Sequence, residues 1–384
     1  MDLEQLFNQN KEHTLHGRYI TLDDIEPLIK KSNTNNQLEI IRKSVLDKPI
    51  YKYQIGTGKT KILLWSQMHG NESTTTKALF DFLNLLRNGS ELAGNLLNSF
   101  TFCFIPMLNP DGAKLYTREN ANKVDLNRDS QVLSQPESKV LRATFEIFNP
   151  DFCFNLHDQR TIFGVSNTGK PATVSFLAPA YNEAREINES RLKAINLIAG
   201  INDVLQQYVP GQVGRFDDSF NINCIGDTFQ YMGVPTVLFE AGHFQNDYPR
   251  EETRKYIFMA LVSSFKILFE NDIVVNKFDK YLSIPQNKVV FYDFMYKNIK
   301  INYDGNEIFT NFAVQYKEEL VEEQLCFNAY IVKIGELDGY FGHFEYDAEG
   351  ALYSDNQNNI PEIDQRADFH LNNSVKFVNG MMIS

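Results

Sequence analysis

Basic residues are scarce in this sequence. Its 384 residues include 37 Lys and Arg against 49 Asp and Glu, a formal charge of −12. So little positive charge leaves no face dense enough to displace counterions from a nucleic acid or to settle on an anionic membrane. Neither is expected as a partner. Long apolar runs are also missing, and none approaches the roughly 18–20 residues of a bilayer span. The opening residues, Met1-Asp2-Leu3-Glu4-Gln5, have neither the basic nor the apolar stretch of a secretory leader. Cysteine is rare. Cys103, Cys153, Cys224 and Cys326 form no C-x-x-C pair, and three of them sit in apolar surroundings. This is the pattern of buried, reduced thiols and of a cytoplasmic protein. There is no internal repeat and no long low-complexity segment. Gly56-Thr57-Gly58-Lys59-Thr60 lacks the leading glycine of a phosphate loop, Tyr53 standing in its place. It also joins two strands, so a hairpin turn is expected. Gly164 to Gly169 has one residue too many for a nucleophile elbow, which leaves a serine hydrolase unsupported.

What is present is a globular composition, 43% hydrophobic and 22% charged, in a length that suits two domains. Apolar runs at Lys61–Ser66, Phe100–Pro106, Phe152–Leu156 and Pro235–Phe239 read as buried strands. Helical spacing appears over Leu22–Lys31 behind an N-cap at Thr21, and over Ser73–Arg87, Pro136–Phe148, Glu183–Tyr208 and Tyr248–Phe269. Leu38–Val45 and Tyr51–Ile55 add two further strands. This alternation predicts an α/β fold, a three-layer α/β/α sandwich with a mixed central sheet, over residues 1–278. A β-rich domain is expected over residues 279–384, where short aromatic and β-branched runs alternate with turn signals at Asp304-Gly305 and Asp338-Gly339. Asp355–Pro361 reads as a polar loop, and Lys317–Gln324 as a solvated face. Most of the net negative charge lies here: residues 281–384 hold 7 Lys and Arg against 16 Asp and Glu, −9 of the −12.

Four polar segments follow or end buried strands. Met68-His69-Gly70-Asn71-Glu72 lies between the Lys61–Ser66 strand and a helix, at the strand end where α/β proteins build sites. His69 and Glu72 are three residues apart across a tight turn that Gly70 permits. An imidazole and a carboxylate converging there are good zinc ligands, although such a pair alone is more often a surface or capping pair. His157 ends a second strand, and three protein ligands plus an open position make the catalytic form of a zinc site. Asp158 or Asn155 could orient it. The third segment holds Asn109-Pro110-Asp111-Gly112, a turn, then Arg118 and Asp125-Leu126-Asn127-Arg128. Its two arginines offer forks for carboxylates or developing oxyanions. The fourth is the apolar strand that stops at Glu240, a carboxylate placed to be tuned as a general base. The bland readings are a satisfied histidine, surface ion pairs and a capping glutamate.

In this order the segments resemble the zinc carboxypeptidase family, the funnelin peptidases, over about residues 50–270. The resemblance implies one Zn²⁺ held by His69, Glu72 and His157, and Glu240 as general base and acid. It implies that Arg118 polarises the scissile carbonyl, and that Asn127 and Arg128 hold the terminal carboxylate of a peptide. His243 could reach the substrate or brace Glu240. Where many members carry a mobile tyrosine this chain has Phe216 and Phe220, so no lid tyrosine is assigned. Asp217, Asp218 and Asp227 share the loop expected to shape the specificity pocket, and one of them could favour a basic side chain. His-Gly-Asn-Glu and the appended β domain also resemble the aspartoacylase and succinylglutamate desuccinylase branch. A zinc-dependent N-acyl-amino-acid deacylase is therefore the alternative, with an acyl-amino acid as substrate. A zinc-bearing binding protein without catalysis is the third reading. The β-rich domain has no catalytic motif, and a homo-oligomer through its strands is among the expectations.

Overall fold

A computed structural model describes residues 2–31, 37–271, 273–303, 305–355 and 358–383. The chain forms two units, Met1–Gln159 with Ala172–Asn287, and Arg160–Pro171 with Lys288–Ser384. The sequence placed the division at 278/279. In the structure the first unit continues through a helix at Phe278–Ser283, because Tyr281 is buried there and its hydroxyl accepts a bond from the Ala178 amide at 3.2 Å. The Arg160–Pro171 segment, unmarked in the sequence, belongs to the second unit.

The first unit is built on one eight-stranded sheet. Its strands are β1 (Leu38–Lys43), β2 (Pro49–Ile55), β3 (Thr60–Ser66), β4 (Phe100–Ile105), β5 (Phe152–Asp158), then, after a short β6 (Phe163–Val165) in the other unit, β7 (Val174–Leu177), β8 (Val213–Arg215) and β9 (Thr236–Ala241). The order across the sheet is β1-β2-β4-β3-β5-β9-β7-β8. The run β4-β3-β5-β9 is parallel, and antiparallel pairs flank it. The helices are α1 (Leu3–Asn10), α2 (Leu22–Lys31), α3 (Thr74–Arg87), α4 (Glu91–Ser99), α5 (Pro110–Leu115), α6 (Pro136–Phe148), α7 (Glu189–Leu205), α8 (Ile225–Tyr231), α9 (Glu251–Phe269) and α10 (Phe278–Ser283).

Strand side chains alternate between the two faces. Ile62 and Leu64 of β3 join a core with α3, α7 and α9, while Leu63 and Trp65 join another with Leu141 and Phe145 of α6 and Phe229 of α8. Two cores on one sheet make the α/β/α sandwich. Central strands apolar on both faces explain the near-continuous runs in the sequence.

Three expectations are corrected. Residues 56–59 are no hairpin, because β2 pairs with β4 and β3 lies on the other side of β4. The loop crosses the start of β4 so closely that a Cβ on Gly56 or Gly58 would overlap the backbone of Ser99 or Phe100. The Glu183–Tyr208 helix starts only at Glu189, where the Asn188 side chain caps the Arg191 amide at 2.9 Å. Asn109-Pro110-Asp111-Gly112 opens α5 rather than forming a simple turn: Asn109 Oδ1 accepts from the Gly112 amide at 2.9 Å and Pro110 takes the first helical position.

The second unit packs two four-stranded sheets. One, ordered β13-β12-β11-β14, contains β11 (Phe291–Tyr303), β12 (Asn306–Val321), β13 (Gln324–Ile334) and β14 (Phe341–Asp347). The other runs β15 (Tyr353–Ser354), β16 (Phe369–Leu371), β17 (Val375–Val378) and β18 (Met381–Ile383). A strand β10 (Asn287–Val289) pairs with β6. Tyr296, Phe312, Tyr353, Phe369 and Phe377 form the core between the two four-stranded sheets. Residues 317–324 are the ends of β12 and β13 and their connection, paired from Lys317↔Asn328 to Val321↔Gln324, where the sequence suggested only a solvated face. Asp304 of the expected Asp304-Gly305 turn, and residues 356–357 of the Asp355–Pro361 loop, lie outside the described residues.

Candidate metal centre and active site

The site forms where β3, β5 and β9 end. Past β3 the chain turns at Gln67, buried with a left-handed φ of +49°. The Gln67 side chain fixes the turn by donating to the carbonyls of Ile20 at 2.7 Å and Gly70 at 2.9 Å. Gly70 itself has no positive φ. A Cβ there would overlap the Gly112 backbone, so its glycine serves close packing against α5 rather than left-handed geometry. Asn109 completes the support, its Nδ2 donating to Met68 O at 3.2 Å. The Asn109–Gly112 segment thus braces the loop that carries His69 and Glu72.

His69, Glu72 and His157 are all buried, and one ligand atom from each lies within 4.8 Å of the others. The Nδ1 atoms of the two histidines are 3.1 Å apart. His69 Nδ1 lies 2.8 Å from Glu72 Oε1, and His157 Nδ1 lies 2.7 Å from Glu72 Oε2. Two imidazole nitrogens and a carboxylate facing one another present lone pairs to a single point, which calls for a cation. His69 Nε2 meets Asp125 Oδ1 at 3.0 Å. A proton donated there leaves the Nδ1 lone pair free for a metal. The donor set and its burial therefore fit zinc.

The local electrostatics agree. Burial opposes ionisation of Glu72, but His69 and His157 outweigh it and hold its carboxyl well below the usual range. Asp125 is likewise held low against burial, by its bond to His69 and by Arg118. Burial also opposes charge on His69, yet Glu72 and Asp125 raise its pKa, while burial dominates at His157 and lowers it.

Arg118 stands beside the cluster, with Nη1 3.3 Å from Glu72 Oε1 and Nη2 3.1 Å from Asp125 Oδ2. It remains 44% exposed, so its fork can still reach a ligand. Glu240 of β9 is the register partner of His157 of β5, which puts the two side chains on the same face of neighbouring strands, about 4.8 Å apart along the sheet. Its Oε2 is buried without a hydrogen-bond partner. Burial, and then the negative charge of Glu72 and Asp158, pushes its pKa well above the usual value. A dication among His69, Glu72 and His157 would pull it back down.

Asp158 does not orient His157. Its carboxylate accepts the Thr74 and Thr75 amides at 2.7 and 3.1 Å, the exposed N–H groups at the start of α3. Its own amide donates to Glu72 Oε2 at 3.1 Å. Asn155 makes no bond to His157 either, and the carboxylate that orients a ligand is Asp125. The sequence reading gave Asp125 no role. The signal was its place just ahead of Asn127-Arg128, where it caps a 3₁₀ turn through the Asn127 amide at 2.9 Å.

Asn127 Oδ1 accepts the Ile225 amide at 3.0 Å, tying its segment to the start of α8. Arg128 is held by its own neighbour, Nη1 donating to Asn127 O at 2.7 Å. His243 is buried with its ring against Tyr248, 4.8 Å between centroids, outside the three-residue cluster. Of the three aspartates expected in one loop, Asp227 lies instead in the first turn of α8; Asp218 pairs with Arg185 and Arg191, and Asp217 turns back on the Ser219 amide and hydroxyl. Asp227 has no basic partner within ion-pair distance among the described residues. It is buried, accepts the Asn221 amide at 3.4 Å, and burial raises its pKa to about 7.

Residues 25–161 match the family model of the zinc carboxypeptidases. Carboxypeptidase SOL1 of Arabidopsis thaliana is 29% identical over 146 residues, 32% of this chain and 30% of its own. Gamma-D-glutamyl-L-diamino acid endopeptidase 1 of Lysinibacillus sphaericus is 37% identical over 83 residues, 20% of this chain and 21% of its own. The chain thus spans less than a third of the length of these curated relatives. Among solved structures, a metallo-carboxypeptidase from Burkholderia cenocepacia superposes with a TM-score of 0.52 at 16% identity, covering 65% of this chain and 69% of that one. Carboxypeptidase A from Helicoverpa armigera gives 0.51 at 16% identity, covering 72% and 80%. The chain is zinc-carboxypeptidase-like in sequence over residues 25–161, and it has the carboxypeptidase fold.

Proposed function

We propose that this chain, with its zinc-carboxypeptidase-like sequence and fold, is a zinc-dependent metallocarboxypeptidase that hydrolyses a peptide or amide bond next to a free carboxylate. The observation that carries this reading is the convergence of His69 Nδ1, His157 Nδ1 and the Glu72 carboxylate beside Glu240 on the neighbouring strand end. One zinc ion would be held by His69, Glu72 and His157. When bound, zinc supplies a Lewis acid that makes water a competent nucleophile near neutral pH and polarises a carbonyl.

The rest is the work of the chain's own groups. The Glu240 carboxylate takes the proton from the attacking water and returns it to the leaving nitrogen. Arg118 donates to the oxygen on which negative charge develops, a contact typically worth about 2.7–4 kcal/mol. Asn127 and Arg128 hold the free carboxylate and so select the terminal bond. Asp227, buried without an ion pair among the described residues, is the aspartate proposed to meet a basic group on the terminal residue. The diamino acid in the name of the Lysinibacillus relative is the kind of substrate such a carboxyl would suit. The protein is proposed to act in the cytoplasm, in line with its free cysteines, two of them buried.

An N-acyl-amino-acid deacylase would use the same water chemistry. The Asn109–Gly112 brace and the carboxypeptidase matches favour the peptidase. Glu240→Gln tests the mechanism: zinc should remain at one ion per chain while turnover of C-terminally free peptides falls at least 10²-fold. Activity within a few-fold of the parent would sink the assignment. Running N-acyl amino acids alongside decides between the two substrate classes.

A further inference from the structure

Arg250 is a guanidinium with no exposed surface in the first unit. It sits at the N-cap of α9 with a left-handed φ of +61°. Asparagine or glycine would adopt that conformation more readily, so the contacts of the side chain are what set this arginine apart. It touches carbonyls. Nη1 donates to Ala241 O at 2.7 Å and also to Gly242 O, and Nη2 donates to Gln159 O at 2.9 Å.

The position of these oxygens decides the matter. The β5–β9 ladder runs through His157↔Glu240 and ends at Asp158↔Ala241. One more bond, from the Gln159 amide to Ala241 O at 2.8 Å, closes the strands. Beyond it the ladder supplies no rung between Gln159 and Gly242. Arg250 supplies that rung, with one rigid fork spanning both strand ends. Gly242 has no room for a side chain, because a Cβ would overlap Ala172 O and the Gln159 side chain. The strand ends are therefore gripped from both sides.

We propose that Arg250 is a positioning residue for the proposed reaction, fixing the spacing between His157 and Glu240 by cross-linking the backbone just past each of them. The inference rests on the metallocarboxypeptidase reading for its consequence and on the hydrogen bonds above for its existence. Asn127 and Arg128 lie on another segment, so loss of the cross-link should strike metal retention and turnover and leave substrate capture alone.

The test uses full-length Arg250→Lys and Arg250→Gln. Zinc affinity is read by competition with a chromogenic chelator, coordination by the visible spectrum of the Co²⁺-substituted protein, and kcat and KM separately on a C-terminally free peptide. Both variants are expected to hold zinc at least 10-fold more weakly and to lose at least 10-fold in kcat, with KM within about 3-fold. Lysine, which keeps the charge but cannot span three carbonyls, should recover only part of the loss. A folded variant with parental zinc affinity and kcat overturns the proposal, and so does a change confined to KM. Should the glutamine variant not fold, the lysine variant decides by the same criteria. If the parent cleaves no substrate, chelator competition and the Co²⁺ spectrum still judge Arg250. A parent that binds neither metal at one per chain overturns the metallocarboxypeptidase reading, and this inference with it.

Discussion

A histidine whose second nitrogen is engaged has only one lone pair to offer, and that choice is made for His69 by Asp125. Removing the carboxylate frees the ring to adopt the other tautomer and to rotate. Asp125→Ala should therefore weaken zinc binding by about 10–100-fold, measured by chelator competition, with little change in the unfolding temperature of the metal-free protein. His69, Glu72 and His157 were legible in the sequence because they lie at or just past the ends of apolar strands and because the ordered segments resemble one family, although each alone has a more ordinary reading. Asp125 was not, because a carboxylate at the start of a turn has an ordinary explanation as a cap. It is such a cap, and it is also the partner of His69. Asp227 presents the converse case. Three aspartates were open in the sequence, and burial and contacts separate them: Asp218 is ion-paired with two arginines, Asp217 turns back on Ser219, and Asp227 is buried without an ion pair among the described residues. Asp227→Asn should lower kcat/KM for peptides ending in Lys by about 10-fold or more while leaving those ending in norleucine within about 2-fold, since the loss is that of one desolvated charge contact. Equal effects on the two substrates would show that Asp227 is merely structural.

Elements were read well where one face was uniformly apolar and poorly where a single polar contact set the boundary. α6 came out as Pro136–Phe148, matching its periodicity, whereas α7 began six residues later than its pattern because the Asn188 cap decides where it can start. Sheet neighbours were not legible at all: nothing in residues 56–59 says that β3 passes over β4 rather than folding back on β2. The same long-range logic holds the N-terminal segment. Glu251, in the first turn of α9, takes Lys77 Nζ at 2.6 Å and Lys11 Nζ at 2.9 Å, and Arg254 beside it pairs with fully buried Asp81 at 2.6 Å. Burial works against ionisation of Glu251, but Lys77 and its other partners prevail and hold its pKa near 2, against 4.5 ordinarily. Because the folded pKa is depressed, the stabilisation is present above about pH 4.5 and is lost as pH falls toward 2. Glu251→Gln should cost about 3 kcal/mol at pH 7, in the range for stripping a partner from a buried charge. Denaturant titrations across pH should show the gap to the parent closing below pH 4.5. A gap that stays constant down to pH 2.5 would mean that packing, not charge, accounts for the loss.

At the scale of the whole molecule the acidic balance divides unevenly, and the candidate centre lies in the less acidic part of the chain, with Arg118 beside it. Among the described residues no helix is long and apolar enough to cross a membrane. The second unit is more than a C-terminal extension of the first. Residues 160–171 leave the first unit two residues after His157, and their ends are held together by the Gln159 side chain donating to Ala172 O at 2.6 Å. Within the second unit the excursion is secured by β6 pairing with β10, by Gln315 Nε2 donating to Thr161 Oγ1 at 2.9 Å, and by His343 Nε2, 2.8 Å from Thr161 O. A chain ending at Asn287 would leave that excursion without its partners. Limited proteolysis should cut it within residues 160–171 at least 10-fold faster than the full chain, and equal rates would show that the segment stands alone. The sequence offered no hint of this crossing, since Gly164–Gly169 reads locally as an ordinary turn. Its consequence lies in inheritance. Two units joined by one linker can be exchanged by a single recombination event, but here the chain passes between them three times, once within reach of a candidate metal ligand. No single crossover can swap one whole unit for another of its kind, because the exchange would leave residues 160–171 behind.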